Sequence, residues 1–193
     1  MSDLDRTAAA IRDGNLVVYP TETVYGLGAD ALDPAVVDRV YETKGRDRSN
    51  PISLAVPDID AAESYVRPTE RERAFMERFL PGPVTVLCER RDVVPDVLTA
   101  GSDRVGVRIP DHDLALALLD RVEPITATSA NVSGRPSART AEDVDEEVRK
   151  TASAVLDGGE TGGVESTVVD VVSGEIHRPG ALSDEIEIWL AEH

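Results

Sequence analysis

Short apolar runs, fenced by Gly, Pro and Asp and separated by segments of helical period, constrain this chain more than any other feature. Residues 3–13 carry a helical pattern that Gly14 ends, and Leu16-Val17-Val18-Tyr19 follows at once as a buried strand. Asp33-Pro34 supplies an N-cap and a first-turn proline for a helix that stops near Gly45, which puts Lys44 at its C-terminal end. The same periodicity predicts helices over 69–79, 112–122, 140–151 and 183–192. It predicts strands over 52–56, 84–89, 104–109, 124–128, 153–157, 166–172 and 175–178. Such alternation defines an α/β fold with helices packed on a sheet. The short connection Val171-Val172-Ser173-Gly174-Glu175-Ile176 demands a hairpin, so the sheet is expected to be mixed rather than purely parallel. With 193 residues and no repeat or low-complexity linker, residues 1–193 read as one domain.

Charge narrows the partners. Thirty-seven acidic residues against 20 basic ones leave a net charge of −17, and Lys44 and Lys150 are the only lysines. Long-range repulsion disfavours a general RNA-binding surface. Excess carboxylate with almost no lysine suggests a cytoplasm rich in salt, where the Debye length falls to about 3 Å near 1 M, a merely acidic mesophile protein being the competing reading. No run approaches about 18 apolar residues, and the N-terminus lacks the basic-then-apolar layout of a signal peptide, so a cytoplasmic protein without membrane contact is expected. Cys88, within Val84-Thr85-Val86-Leu87-Cys88, reads as a buried apolar side chain rather than a nucleophile.

Several segments carry polar chemistry at the ends of these strands. Pro20-Thr21-Glu22-Thr23 follows the first strand, where α/β sheets commonly place ligands and where a simple turn is the competing reading. Gly26-x-Gly28-x-x-Ala31 is no dinucleotide fingerprint, because six residues part it from the strand and no helix opens on it. Lys44-Gly45-Arg46-Asp47-Arg48 gathers three cations in a chain that otherwise avoids lysine. They either clamp a triphosphate, Lys as a point charge and Arg as a fork, or pair with nearby acids. Arg108 ends an apolar strand and either pairs with an acid or faces a ligand. The run from Thr126 to Ser137 offers hydroxyls and backbone N–H groups to an anion. No P-loop, no Gly-x-Ser-x-Gly elbow and no metal-ligand spacing occurs, and His112, His177 and His193 lack an evident partner.

In order and wording these segments resemble the YrdC/Sua5 family of threonylcarbamoyl-AMP synthases. The resemblance rests on Tyr19-Pro20-Thr21-Glu22-Thr23-Val24-Tyr25-Gly26-Leu27, Lys44-Gly45-Arg46, Pro81-Gly82-Pro83 and Val107-Arg108-Ile109-Pro110. It extends through Ser129-Ala130-Asn131-x-Ser133-Gly134-x-Pro136-Ser137, Glu165-Ser166-Thr167-Val168-Val169-Asp170 and Arg178-Pro179-Gly180-Ala181. It implies an open, twisted mixed sheet around a basic cavity, in a short form of the family. The implied reaction joins L-threonine, bicarbonate and ATP, the last bringing Mg²⁺, into threonylcarbamoyl-AMP and pyrophosphate. A separate transferase would then modify position 37 of tRNA. By the same resemblance Thr23, Arg108, Ala127 and Ser166 contact threonine. Lys44, Arg46, Asn50, Ser129, Asn131, Ser137 and Arg178 contact ATP, and Lys44 and Arg46 act in catalysis. Two positions depart from the family pattern: Ala55 stands where a histidine is common, and Arg104, where a threonine is common, adds a phosphate contact or lies exposed. An RNA-binding module and a paralogue acting on another carbamoyl or acyl substrate are the alternatives.

Overall fold

The computed structural model describes residues 2–193. In chain order its elements are α1 (Asp3–Arg12), β1 (Leu16–Tyr19), β2 (Gly26–Gly28), α2 (Pro34–Lys44), β3 (Ser53–Ala55) and α3 (Ile59–Ala62). Next come β4 (Val66–Arg67), α4 (Glu70–Phe79), β5 (Val84–Arg90), α5 (Asp96–Thr99), β6 (Arg104–Arg108) and α6 (Asp113–Leu119). The chain ends with β7 (Ile125–Ala127), α7 (Glu146–Thr151), β8 (Ala152–Val155), β9 (Thr167–Asp170), β10 (Glu175–Arg178) and α8 (Ser183–Glu192). The strands divide between two open sheets. One has the order β2-β1-β8, and the other runs β10-β9-β5-β6-β3-β7 with β4 beside β5. Pairs β1–β8, β3–β6 and β5–β9 are parallel, while the hairpin β9–β10 and the other pairs are antiparallel, so both sheets are mixed.

Local chemistry sets the helix ends. The Asp33 carboxylate accepts from the N–H groups of Ala35 and Val36, with Pro34 in the first turn, and Gly45 closes α2 at φ 54°. Nothing lies within 4 Å of where a Cβ on Gly45 would sit, so glycine is needed there for its backbone conformation alone. Thr69 and Glu72 form a capping box on α4. That helix buries Phe75, Met76 and Phe79, and Trp189 of α8 meets Phe75 edge-on at 5.0 Å. Each such side chain contributes about 1.5–3 kcal/mol on leaving water.

The larger sheet has two different faces because side chains alternate along a strand. Val84, Val86, Cys88, Val105, Val107, Leu54 and Val169 turn into the main core. Thr85 and Leu87, then Arg104, Gly106 and Arg108, then Ser53 and Val168, turn the other way and floor a cavity. Cys88 is fully buried, and burial pushes its thiol pKa up, as expected of a core side chain rather than a nucleophile.

One predicted helix is shorter than its pattern. Over 140–151 only Glu146–Thr151 is helical. The Asp143 carboxylate accepts from Thr140 N–H and the Thr140 hydroxyl from Asp143 N–H, closing a turn in place of a helical one. Asp145, which would cap the helix, instead accepts from Val132 N–H at 2.6 Å.

Candidate functional site

The cavity above this floor measures about 550 Å³ and is roofed by the segment after β1, the loop 46–52 and the segment after β7. Gly26 bridges Ser129 across its rim, tying the two sheets together at that point.

The three cations after α2 go three different ways. Gly45 turns the chain in the left-handed region, with its N–H bonded to Glu42 and that of Arg46 to Tyr41. Arg46 enters the cavity wall, where its fork is fixed by the Asn50 carbonyl at 2.9 Å and the Pro51 carbonyl at 3.0 Å. Arg48 pairs outside with Asp38 at 2.9 Å. Lys44, expected to touch phosphate, is 2% exposed and lies beneath the cavity rather than in its lining. Its ammonium donates to the carbonyls of Ser129 and Asn131, the latter at 2.7 Å, and its own carbonyl accepts from Ser133 N–H at 2.8 Å. The side chain is long enough to reach the next loop, and the carbonyls there replace the water that burial removes. Burial lowers its pKa to about 8, Arg46 adds to the lowering, and Glu165 and Asp145 oppose it.

The 129–137 loop is therefore shaped from below by Lys44 and from the side by Asp145. Ser129 lines the cavity; Asn131 and Ser137 do not. The Asn131 amide donates to the Val132 and Arg135 carbonyls, at 3.1 and 2.7 Å, leaving its own oxygen buried without a partner. Ser137 donates to Glu165 at 2.7 Å.

At the other end Arg108, 5% exposed, donates to the Gly82 carbonyl and pairs with Glu22 at 2.5 Å. The cis Leu80–Pro81 bond belongs to the turn that presents that carbonyl. Thr23 lies 3.5 Å from the guanidinium, and its hydroxyl meets that of Thr21 at 2.8 Å. Ala127 completes the wall. Between the ends, Arg178 donates to the Ser166 hydroxyl at 3.0 Å, and Ser166 meets the Thr85 hydroxyl at 3.1 Å. Glu165 also faces the cavity, 3.4 Å from Arg178.

Arg104 lines the floor, but its guanidinium is engaged elsewhere. It pairs with Glu72 at 2.7 Å and Asp170 at 3.3 Å and donates to the Leu87 carbonyl at 2.6 Å. In this position the guanidinium clamps Glu72, which is 1% exposed. Ala55 is fully buried with Tyr19 and Ile125 in a second apolar cluster and offers no polar group. The glycine-rich 158–163 segment is tied down: Gly162 and Gly163 donate to the carbonyls of Glu22 and Thr23, and the Tyr25 hydroxyl donates to the Gly159 carbonyl at 2.8 Å.

Sequence reasoning missed Ser53, Thr85, Gly106, Glu165 and His177 of the lining. Alternation would have found the first three, since Arg108 faces a ligand only if Gly106 and its cross-strand neighbours share that face.

The mixed α/β fold brings Arg46, Arg108 and Arg178 from sheet floor and loops to one polar cavity, a lining whose chemistry suits an anionic ligand. Residues 9–180 match the model of the Sua5/YciO/YrdC family, whose description reads telomere recombination, and the chain belongs to that family. It is 44% identical to the threonylcarbamoyl-AMP synthase of Pyrococcus abyssi over 191 residues, covering 96% of this chain and 56% of that one. It is 41% identical to the Bacillus subtilis protein of the same name, covering 93% and 54%. The crystal structure of P. abyssi Sua5 complexed with L-threonine superposes with a TM-score of 0.92 at 42% identity, over all of this chain and 59% of that one. The chain thus spans little more than half the length of these relatives.

Proposed function

We propose that this chain is an L-threonylcarbamoyladenylate synthase, a nucleotidyltransferase that makes threonylcarbamoyl-AMP and pyrophosphate from L-threonine, bicarbonate and ATP. The observation that carries it is one cavity with two anion-holding ends. Arg108 and Thr23 stand at one, and Arg46 and Ser129 at the other, bridged by Arg178 and Ser166. The first suits an amino-acid carboxylate and the second a polyphosphate. The names of the two relatives and the threonine in the P. abyssi structure support the same assignment.

In the mechanism we propose, the threonine amine and bicarbonate condense to a carbamate and water. A carbamate oxygen then bonds to the α-phosphorus while the bond from that phosphorus to the bridging oxygen breaks, its electron pair leaving on pyrophosphate. The carbamate is already anionic, so the step needs no strong base. The protein holds two mutually repelling anions in line and stabilises charge on the leaving group. Arg46, with Asn50 beside it, holds the triphosphate. Arg178 bridges to the transferring group, and Lys44 keeps Ser129, Asn131 and the turn to Ser137 in shape. Arg108, Thr23, Ser166 and the Ala127 backbone hold threonine. Mg²⁺ enters as part of the ATP substrate. Among the described residues no cluster of three or more His, Cys, Asp or Glu is arranged to hold a metal. The adenylate passes to a separate transferase acting on tRNA in the cytoplasm; no helix is long and apolar enough to cross a membrane. The test is threonine- and bicarbonate-dependent pyrophosphate release from ATP, with other amino acids as controls. Release that ignores which amino acid is present overturns the assignment.

A further inference from the structure

Ser53 stands at the centre of the cavity floor. It pairs with Ala127 across β3–β7, and on its other side the strand β6 runs past at Gly106. A Cβ on Gly106 would come within 2.2 Å of the Ser53 Oγ and 2.8 Å of the Thr85 methyl. The glycine thus opens the space in which the Ser53 hydroxyl lies, and any larger residue would push it away. The neighbouring floor and wall hydroxyls are engaged within the protein: Thr21 with Thr23, and Thr85 with Ser166. Ser53 lines the cavity, and its hydroxyl makes no hydrogen bond to any described residue. An unpartnered hydroxyl on the floor, given its space by a glycine, is free to donate to a bound group.

Its position identifies the ligand atom. Asn50, Pro51, Ile52 and Ser53 are consecutive lining residues, so Ser53 is reached from the Arg46 end within one short segment. On the opposite side Ala55, two residues on, pairs with Arg108 across β3–β6. A group over Ser53 therefore lies between the polyphosphate end and the carboxylate end. In the proposed reaction that place belongs to the carbamate as it meets the α-phosphorus. We infer that Ser53 is a substrate-contacting residue whose hydroxyl donates to the carbamate oxygen that does not attack. This rests on the proposed function and adds a residue to it. No proton moves to or from Ser53; it orients the carbamate so that the other oxygen lies in line with the departing pyrophosphate.

Neither free threonine nor ATP carries the carbamate, so the contact exists only once threonine and bicarbonate have formed it. The loss should therefore appear in turnover and not in the affinity for either substrate. The experiment compares wild type, Ser53→Ala and Ser53→Thr in threonine- and bicarbonate-dependent pyrophosphate release, with calorimetric Kd values for ATP and for threonine and thermal unfolding of each. Expected are a tenfold or greater fall in kcat for Ser53→Ala and recovery to within a few-fold in Ser53→Thr. All three should show Kd values within about twofold of one another and the same unfolding temperature. Full turnover by Ser53→Ala beside an active wild type overturns the role of Ser53 and leaves the proposed function standing. A matching loss of ATP or threonine affinity in Ser53→Ala overturns the assignment to the carbamate. A wild type without such release overturns the function on which the inference rests.

Discussion

Lys44 lies beneath the proposed anion site rather than in its lining. Its ammonium holds two carbonyls of the 129–137 loop while Arg46, two residues on, takes the place in the cavity wall. Burial lowers the Lys44 pKa to about 8 from an ordinary 10.5. Between those values the unfolded chain binds more protons than the folded one, so the lysine's contribution to stability rises with pH across that window. Urea denaturation at pH 7.5 and pH 10 should show the wild type gaining stability relative to Lys44→Met; a pH-independent difference contradicts the burial of a strained ammonium. Arg46 is a different case, because its two carbonyl partners fix the plane of the guanidinium rather than neutralise it. Arg46→Ala should lower adenylate formation at least tenfold, about 1.4 kcal/mol of transition-state stabilisation, and Arg46→Lys should restore little, since lysine cannot reproduce the fork. Unchanged turnover in Arg46→Ala contradicts its place at the phosphates.

At the scale of elements, Arg104 joins the first turn of α4 to the sheet through Glu72 and to β9 through Asp170. Removing it strands a buried carboxylate. Arg104→Thr should cost about 3 kcal/mol of stability, read from chemical denaturation, yet keep wild-type turnover at temperatures where the variant is folded. Lost turnover in a fully folded variant would instead support a phosphate contact. Most elements were legible from apolar period and caps: α2 from Asp33-Pro34 and Gly45, α8 over 183–192, and the β9–β10 hairpin from its short turn. β2 was not. Gly26-Leu27-Gly28 has no strand propensity, and it pairs with β1 because the Tyr19 ring lies across both glycines, where a Cβ would come to 2.8 and 3.0 Å from it. That is a tertiary contact no local pattern carries. Similarly, Thr140 and Asp143 have enough helical context to extend a pattern, but their side chains close a turn against it. The site was legible as a set of strand ends and polar loops. Which cations faced inward was not, because Lys44, Arg46 and Arg48 differ only in how the Gly45 turn distributes them.

The whole molecule carries a net charge of −17, and among the described residues most ion pairs are exposed pairs made by arginine, Arg73 meeting Asp60 and Glu77 and Arg135 meeting Glu147. Exposed pairs of this kind are each worth about 0–1 kcal/mol. Salt that screens them forfeits little, while relief of the unbalanced carboxylates gains more. Stability and turnover should therefore rise from dilute buffer to molar KCl, followed by circular dichroism and by product formation in parallel; equal behaviour in both solutions contradicts a salt-adapted surface. Against that net charge the cavity lined by Arg46, Arg108 and Arg178 is a local exception, suited to the small polyanion of the proposed reaction. If two anions meet there, pyrophosphate release from ATP reports their reaction. Release is expected only when L-threonine and bicarbonate are both present, with threonylcarbamoyl-AMP as the second product. Release without threonine, or none in the full mixture in molar KCl, contradicts the proposed reaction.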